Sequence, residues 1–228
     1  VYLKINSTVY YNSNKTSLTP TQISSLVFNT IKNYNTNNLQ KFGGVFRYSA
    51  MSTNIDLCEQ SIVSNITNIA MHQYLEPVYG IPTSYIIDFY NPIYQNDFNT
   101  PENSFRCSRG FRILGDSKTY FFEDDGVQYI RLFYYDGTTK IYVKNNIGTI
   151  DYNKGRVILD NIIITSIDLV NVDDLGLELV AVPISNDIIP MMNMIIKIND
   201  SDIMTNAVID PISSGNGSAV NYQFTESR

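Results

Sequence analysis

The chain has 228 residues; 43% are hydrophobic, only 17% are charged, and the formal net charge is −6. A chain this apolar is not disordered as a whole, and its unbroken apolar runs, as at Ile162–Ile164, are too short to cross a bilayer. An acidic balance argues against nucleic-acid binding, which needs clustered Lys and Arg. The expectation is a soluble globular protein of one large or two to three small domains.

Val1, Leu3 and Ile5 alternate with polar or amphipathic neighbours, a half-buried strand pattern. Thr19-Pro20 is a helix start: Thr accepts from the first free amides, and Pro loses nothing at the first helical position. Behind it Ile23, Leu26, Val27, Ile31 and Tyr34 form an apolar stripe, and the Asn-rich stretch 33–38 should end the helix in a loop. Tyr48, Met51, Ile55 and Cys58 predict a second short helix, and 61–71 a strand. Pro77, Gly80 and Pro82 mark a boundary, after which the period changes to two, as at Tyr85, Ile87 and Phe89. Asp124-Asp125-Gly126, Asp136-Gly137, Asn145-Asn146 and 153–155 then punctuate short aromatic and β-branched segments at 120–122, 129–135, 140–143, 148–152 and 156–159. This is the signature of an antiparallel meander, continued by 162–167. Strands are expected at 177–182, 191–198 and 203–209, and the Ser/Gly/Asn-rich run from Ser213 should be mobile unless a partner holds it. The fold class is therefore α+β. A two-layer strand-helix-helix-strand unit at 1–78 precedes an antiparallel meander or sandwich at 79–168 and a C-terminal β region at 169–228.

The chemistry is sparse. His72 is the sole histidine, so any Ser-His-Asp or Cys-His site would have to use it; a structural histidine is the reading here. Cys58 and Cys107 have no metal-ligand spacing and read as free, buried thiols. Glu123-Asp124-Asp125-Gly126 lacks the alternating ligands of a calcium loop and reads as a hairpin turn. Asp200-Ser201-Asp202 reads as solvated turn carboxylates, and 214–217 lacks the Lys-Ser/Thr of a phosphate loop. Arg106, Arg109 and Arg112 form the one local basic cluster, suited to an intersubunit ion pair or an anion. No catalytic residue, cofactor or metal is expected. The charge is uneven: residues 167–228 carry two basic and nine acidic groups, while 1–76 carry five and three.

Four stretches, in order, resemble a known family: 12–19; Phe46-Arg47-Tyr48-Ser49 with Ile55-Asp56 and 61–67; 148–152 with Gly155 and Val157; and Pro183-Ile184-Ser185-Asn186-Asp187-Ile188-Ile189-Pro190 with Asn193. They are similar to the baseplate wedge protein that builds the inner ring in T-even-like contractile-tailed phages, one of the J-like baseplate proteins. The resemblance implies a non-enzymatic virion protein of the tail baseplate, assembled in the host bacterial cytoplasm. It implies further sequence upstream of Val1, and homodimers whose C-terminal regions join neighbouring wedges into a ring around the tail hub. Other wedge proteins would clamp onto them. After Pro190 the chain departs from the family pattern by placing Met192 and Met194 about the Asn, which favours adaptable apolar packing.

Subunit contacts are accordingly expected at Leu177, Leu179, Pro183, Asn186, Asp187, Ile188, Ile189, Pro190, Met192, Asn193 and Met194, with Arg106, Arg109 and Arg112 as a partner or anion patch. Partners would be a second copy, other wedge proteins and the hub, with no nucleic acid or membrane. Two rivals are a carbohydrate- or receptor-binding β module exposing Tyr and Phe, and a hydrolase acting through His72.

Overall fold

The computed structural model describes residues 1–96, 103–168, 176–189 and 194–215. It is mostly strand, with two α-helices. In chain order the first elements are β1 (Tyr2–Tyr11), α1 (Pro20–Tyr34), α2 (Tyr48–Leu57) and β2 (Ile62–Leu75). There follow β3 (Thr83–Asp88), β4 (Phe105–Cys107), β5 (Phe111–Ile113), β6 (Tyr120–Asp124), β7 (Ile130–Asp136) and β8 (Thr139–Lys144). The last are β9 (Gly148–Asp151), β10 (Arg156–Ile162), β11 (Ile164–Ile167), β12 (Leu177–Ala181) and β13 (Ile203–Ile209). The chain divides into a terminal unit, Tyr2–Ile69 with Asn186 onward, and a central unit, Ala70–Ser185 with Val1. No helix among the described residues is long and apolar enough to cross a membrane.

In the terminal unit, β1 buries every second residue: Leu3, Ile5, Ser7, Val9 and Tyr11. Its alternation therefore runs well past Ile5. Thr19 and Gln22 close a reciprocal capping box over Pro20, at 2.8 Å and 3.3 Å. Ile23, Val27, Ile31 and Tyr34 make the buried stripe of α1, whereas Leu26 lies outside it, 37% exposed. The Asn-rich stretch is not a loop: residues Asn35–Leu39 continue as a π-turn. Thr36 Oγ1 and Asn38 Nδ2 donate back to the carbonyls of Lys32 and Tyr34, so side chains occupy acceptors that a helix end otherwise leaves free. Leu39 is buried behind them.

β13 runs parallel to β1, from Ile5 opposite Ile203 to Tyr11 opposite Ile209. α1 packs on β13, where Ser24 Oγ donates to the Thr205 carbonyl and Thr205 Oγ1 to that of Ser24. The expected strand over 191–198 is a correction. Residues 191–193 lie outside the described residues, and 194–198 form no strand. Lys197 makes a single bridge to Tyr2, and Asn35 engages both the N–H and the C=O of Ile198, at 3.1 Å and 2.8 Å. A side-chain amide thus takes the place of a neighbouring strand. The run from Ser213 is likewise held in its described part, because Asn12 Nδ2 and Asn14 Nδ2 donate to the carbonyls of Ser213 and Ser214.

The central unit is antiparallel throughout its described ladders. One sheet runs β11-β5-β6-β4-β12 and on to 71–75 of β2, and the β7–β8 hairpin extends from β6. A second, smaller sheet is β3-β10-β9. The expected hairpins are present: Gly137 supplies the positive φ between β7 and β8, and Asp125 holds the β6–β7 turn. The simple meander is not, since β4 lies between β6 and β12. The core is aromatic: Phe105 stacks on Phe122 at 6.0 Å, with Phe111 and Phe89 at 5.7 and 6.1 Å from the pair. Gly155, at φ 65°, closes the β9–β10 turn where a Cβ would meet the Asn91 carbonyl at 1.9 Å. Only glycine fits there.

Candidate subunit interface

The segment expected to carry subunit contacts begins on β12. Gly176 enters it at φ 131°, where a Cβ would lie 2.5 Å from the Leu75 carbonyl. All five residues of β12 are buried, because the strand pairs with β2 on one side and β4 on the other. Leu177 and Leu179 have no exposed surface, so any part they take in a subunit contact is indirect. Glu178, also buried, accepts from the Ser108 hydroxyl and lies 3.6 Å from His72 Nδ1. His72 is fully buried and meets Tyr74 edge-on. The carboxylate therefore sits between the hydroxyl and the imidazole. A nucleophile relay needs the imidazole in the middle, and this grouping does not form one.

Beyond β12, Val182 donates to the Ser104 carbonyl, Pro183 bridges Ile93, and Ile184 N–H reaches the Pro92 carbonyl. Pro183 is buried and Ile184 is 60% exposed. In the terminal unit, Asp187 reaches α2. The helix follows Arg47, which offers no side-chain cap. Asp187 supplies it from 139 positions along the chain: Oδ1 accepts from Tyr48 N–H at 2.9 Å, and Oδ2 from Arg47 at 2.8 Å. Those two contacts, Arg47 first, hold its carboxyl below the ordinary value of 3.8. Ile188 then exchanges both backbone hydrogen bonds with Phe46, at 3.0 Å each, and is buried. Asn186 and Ile189 are exposed, and Met194 is half-buried. Pro190, Met192 and Asn193 lie outside the described residues.

Asp187→Ala should loosen the start of α2 by about 1 kcal/mol at neutral pH, as lost caps do. Because the folded carboxyl titrates below its unfolded value, this contribution is complete above that value and fades as pH falls below about 4. Melting of wild type and variant across pH 7 to 2.5 should therefore converge at the acid end. A constant gap would remove the cap from the account.

The three arginines are spread over β4, β5 and the turn between them. Arg106 is exposed opposite Glu123 in register. Arg109 lies 5.8 Å over the Tyr74 ring and donates to Gly176. Arg112 binds the Ser117 carbonyl and pairs with Asp168 at 3.8 Å.

A polar cluster that sequence reasoning misses lies on β6–β8. Glu123, nearly inaccessible, accepts from Lys140 and Tyr142 at 2.6 Å each, with Arg131 at 3.5 Å. Burial and the adjoining carboxylate push the Tyr142 hydroxyl up to about 12. Next to it Asp124 accepts from Phe105 N–H and Tyr152 Oη, and desolvation raises its carboxyl above the usual range. The signal lay in two adjacent acids inside an aromatic strand, since successive strand residues face opposite ways. Asp125 accepts from three successive backbone amides and builds the turn. Cys107 is buried and its thiol is pushed up to about 12; Cys58 is half-buried and also raised, both chiefly by desolvation.

Residues 1–74 match the family model for baseplate structural protein gp6, C-terminal domain III.

The match covers about a third of the chain, from β1 through nearly all of β2. It includes the first two resembling stretches and leaves the third and fourth outside. It supports a structural role in a phage baseplate, in the virion tail and in company with other baseplate components. A baseplate structural domain also points away from catalysis. No curated protein matches the chain.

Proposed function

We propose that this chain is part of a baseplate wedge subunit that helps form the inner ring around the hub of a contractile phage tail, through dimerisation and wedge-to-wedge contacts. The observation that carries this reading is the match of residues 1–74 to a C-terminal domain of a baseplate structural protein. Ile189 supports it too, offering apolar surface at 53% exposure next to the buried Ile188. The contact is a packing surface rather than a reaction site, and its acidic surroundings would lie at the rim or face a basic partner. Light scattering after size exclusion tests it, with the chain alone and mixed with other wedge proteins. Self-association and co-elution are expected; a strict monomer that binds none of them overturns the reading. Ile189→Asp should weaken association at least about tenfold, with a melting temperature unchanged within about 2 °C.

One observation favours a glycan-binding module instead. Tyr135 and Tyr142, on β7 and β8, are 48% and 41% exposed beside Phe133. One face of Tyr142 is already engaged, however, with Arg131 4.5 Å over the ring, and Tyr135 packs in T-shaped contacts with Phe133 and Phe121. Binding on a glycan array, lost in Tyr142→Ala, would establish that alternative.

A further inference from the structure

A cleft of about 280 Å3 lies between α2 and the end of α1 with its π-turn, and all of its lining belongs to the terminal unit. Asn33, Asn37 and Asn38 line one side and Asn54 the other, with Leu57, 77% exposed, beside them. Tyr34 is the buried member of the lining, and Arg47 fixes its hydroxyl, which donates to the Arg47 carbonyl and accepts from its N–H. No lining side chain carries a charge: the rest are Thr30 and Cys58, and burial pushes that thiol up, which keeps it neutral.

The fold itself draws little on these amides. Asn38 donates to the Tyr34 carbonyl, but the exposed side chains of Asn33, Asn37 and Asn54 hydrogen-bond to none of the described residues. Asn is a poor helix former because its amide competes for backbone groups, so three of them on helical backbone weaken those turns and gain no contact in the unit. Other asparagines of the same unit show what such an amide can hold. Asn35 engages both the N–H and the C=O of Ile198, and Asn12 and Asn14 donate to the carbonyls of Ser213 and Ser214. An Asn side chain offers the donor and acceptor of a peptide group, so a row of them receives an extended backbone. The cleft is smaller than the roughly 300–1,000 Å3 that encloses a small molecule, and its one aromatic side chain, Tyr34, is buried and offers no face to a sugar ring.

We propose that this cleft binds an extended, uncharged segment of another baseplate protein, with Asn33, Asn37 and Asn54 holding its backbone and Leu57 seating one of its apolar side chains. A charged segment would lose water against a lining that offers no counter-charge. This rests on the baseplate reading above and names a site for one of its partners.

An array of short overlapping peptides from the other wedge proteins, probed with the full chain, tests it. The peptides bound should carry no charge at their centre and one large apolar side chain. The triple variant Asn33→Ala, Asn37→Ala, Asn54→Ala and the single variant Leu57→Lys should bind them at least about tenfold more weakly. The triple variant should melt no lower than wild type, because Ala favours helix, so its lost binding is not lost folding. No bound peptide, binding that the variants retain, or binding confined to charged peptides overturns the proposal. So does binding to a glycan array that the triple variant loses, which makes the ligand a saccharide. Peptides that bind the chain only after residues 216–228 are removed would assign the cleft to a segment of its own chain and overturn the proposal as well. Co-elution with the other wedge proteins is measured on the same variants. If it persists undiminished, the cleft proposal falls and the baseplate reading stands; if the wild-type chain co-elutes with none of them, that reading falls too.

Discussion

Phe122→Ala should lower the stability of the central unit by about 3–5 kcal/mol, the range for deleting a buried aromatic side chain. Phe122 is fully buried and makes ring contacts with both Phe105 and Phe111. Three strands that are neighbours only through the sheet order, β4, β5 and β6, thereby share one aromatic cluster. Alanine leaves a cavity that those rings cannot fill, because each is fixed to its own strand. Urea unfolding followed by tyrosine fluorescence would measure the loss. The neighbouring Phe121 faces the other side of β6, stacked on Phe133 at 5.8 Å and only half-buried. Phe121→Ala should cost markedly less, and equal losses at the two positions would contradict the assigned faces.

Ile188→Asp should have an effect of similar size in the terminal unit. Ile188 is 1% exposed and locked by two backbone bonds to Phe46, itself fully buried and edge-on to Tyr34 at 5.8 Å. A carboxylate there is taken out of water while the adjacent Asp187 already holds Arg47, and a buried unpaired charge costs several kcal/mol. Unfolding, or a loss of about 4 kcal/mol or more, is expected by thermal melting. Ile189→Asp, one residue on, should change stability by less than about 0.5 kcal/mol. If Ile188→Asp melts like wild type, the pairing with Phe46 is not what holds this segment.

That contrast shows where the sequence stopped informing. Ile188 and Ile189 are the same residue side by side, with no flanking period to say which faces inward; only the bridge to Phe46 distinguishes them. Local signals were legible. Thr19-Pro20 read as a helix start because the groups involved are adjacent in the chain, and Gln22, which completes the capping box, lies only three residues on. Asp136-Gly137 read as a hairpin because the turn demands a positive φ. Contacts between distant positions were not. Nothing around Arg47 announces that α2 is capped by Asp187, and the alternation in β1 gives its buried face but not its neighbour in the sheet. Asn35 looked like a helix breaker because its use as a stand-in strand partner depends on Ile198 arriving beside it. Of the residues expected at an interface, Ile184, Asn186 and Ile189 are exposed, whereas the burial of Leu177 and Leu179 depends on strands at both flanks.

The parallel pairing of β1 with β13 also sets a schedule for synthesis. A ribosome delivers β1 roughly 190 residues ahead of the strand that covers its edge, and translation at 5–20 residues per second makes that a wait of about ten seconds or more. Local pieces such as α1 can form during that time, and the hairpins of the middle of the chain can close as they emerge. The first strand, by contrast, stays half-covered until the last one is released. Nascent chains are therefore most vulnerable to mispairing at β1, and chaperone contacts or ribosome stalling should have their greatest influence there.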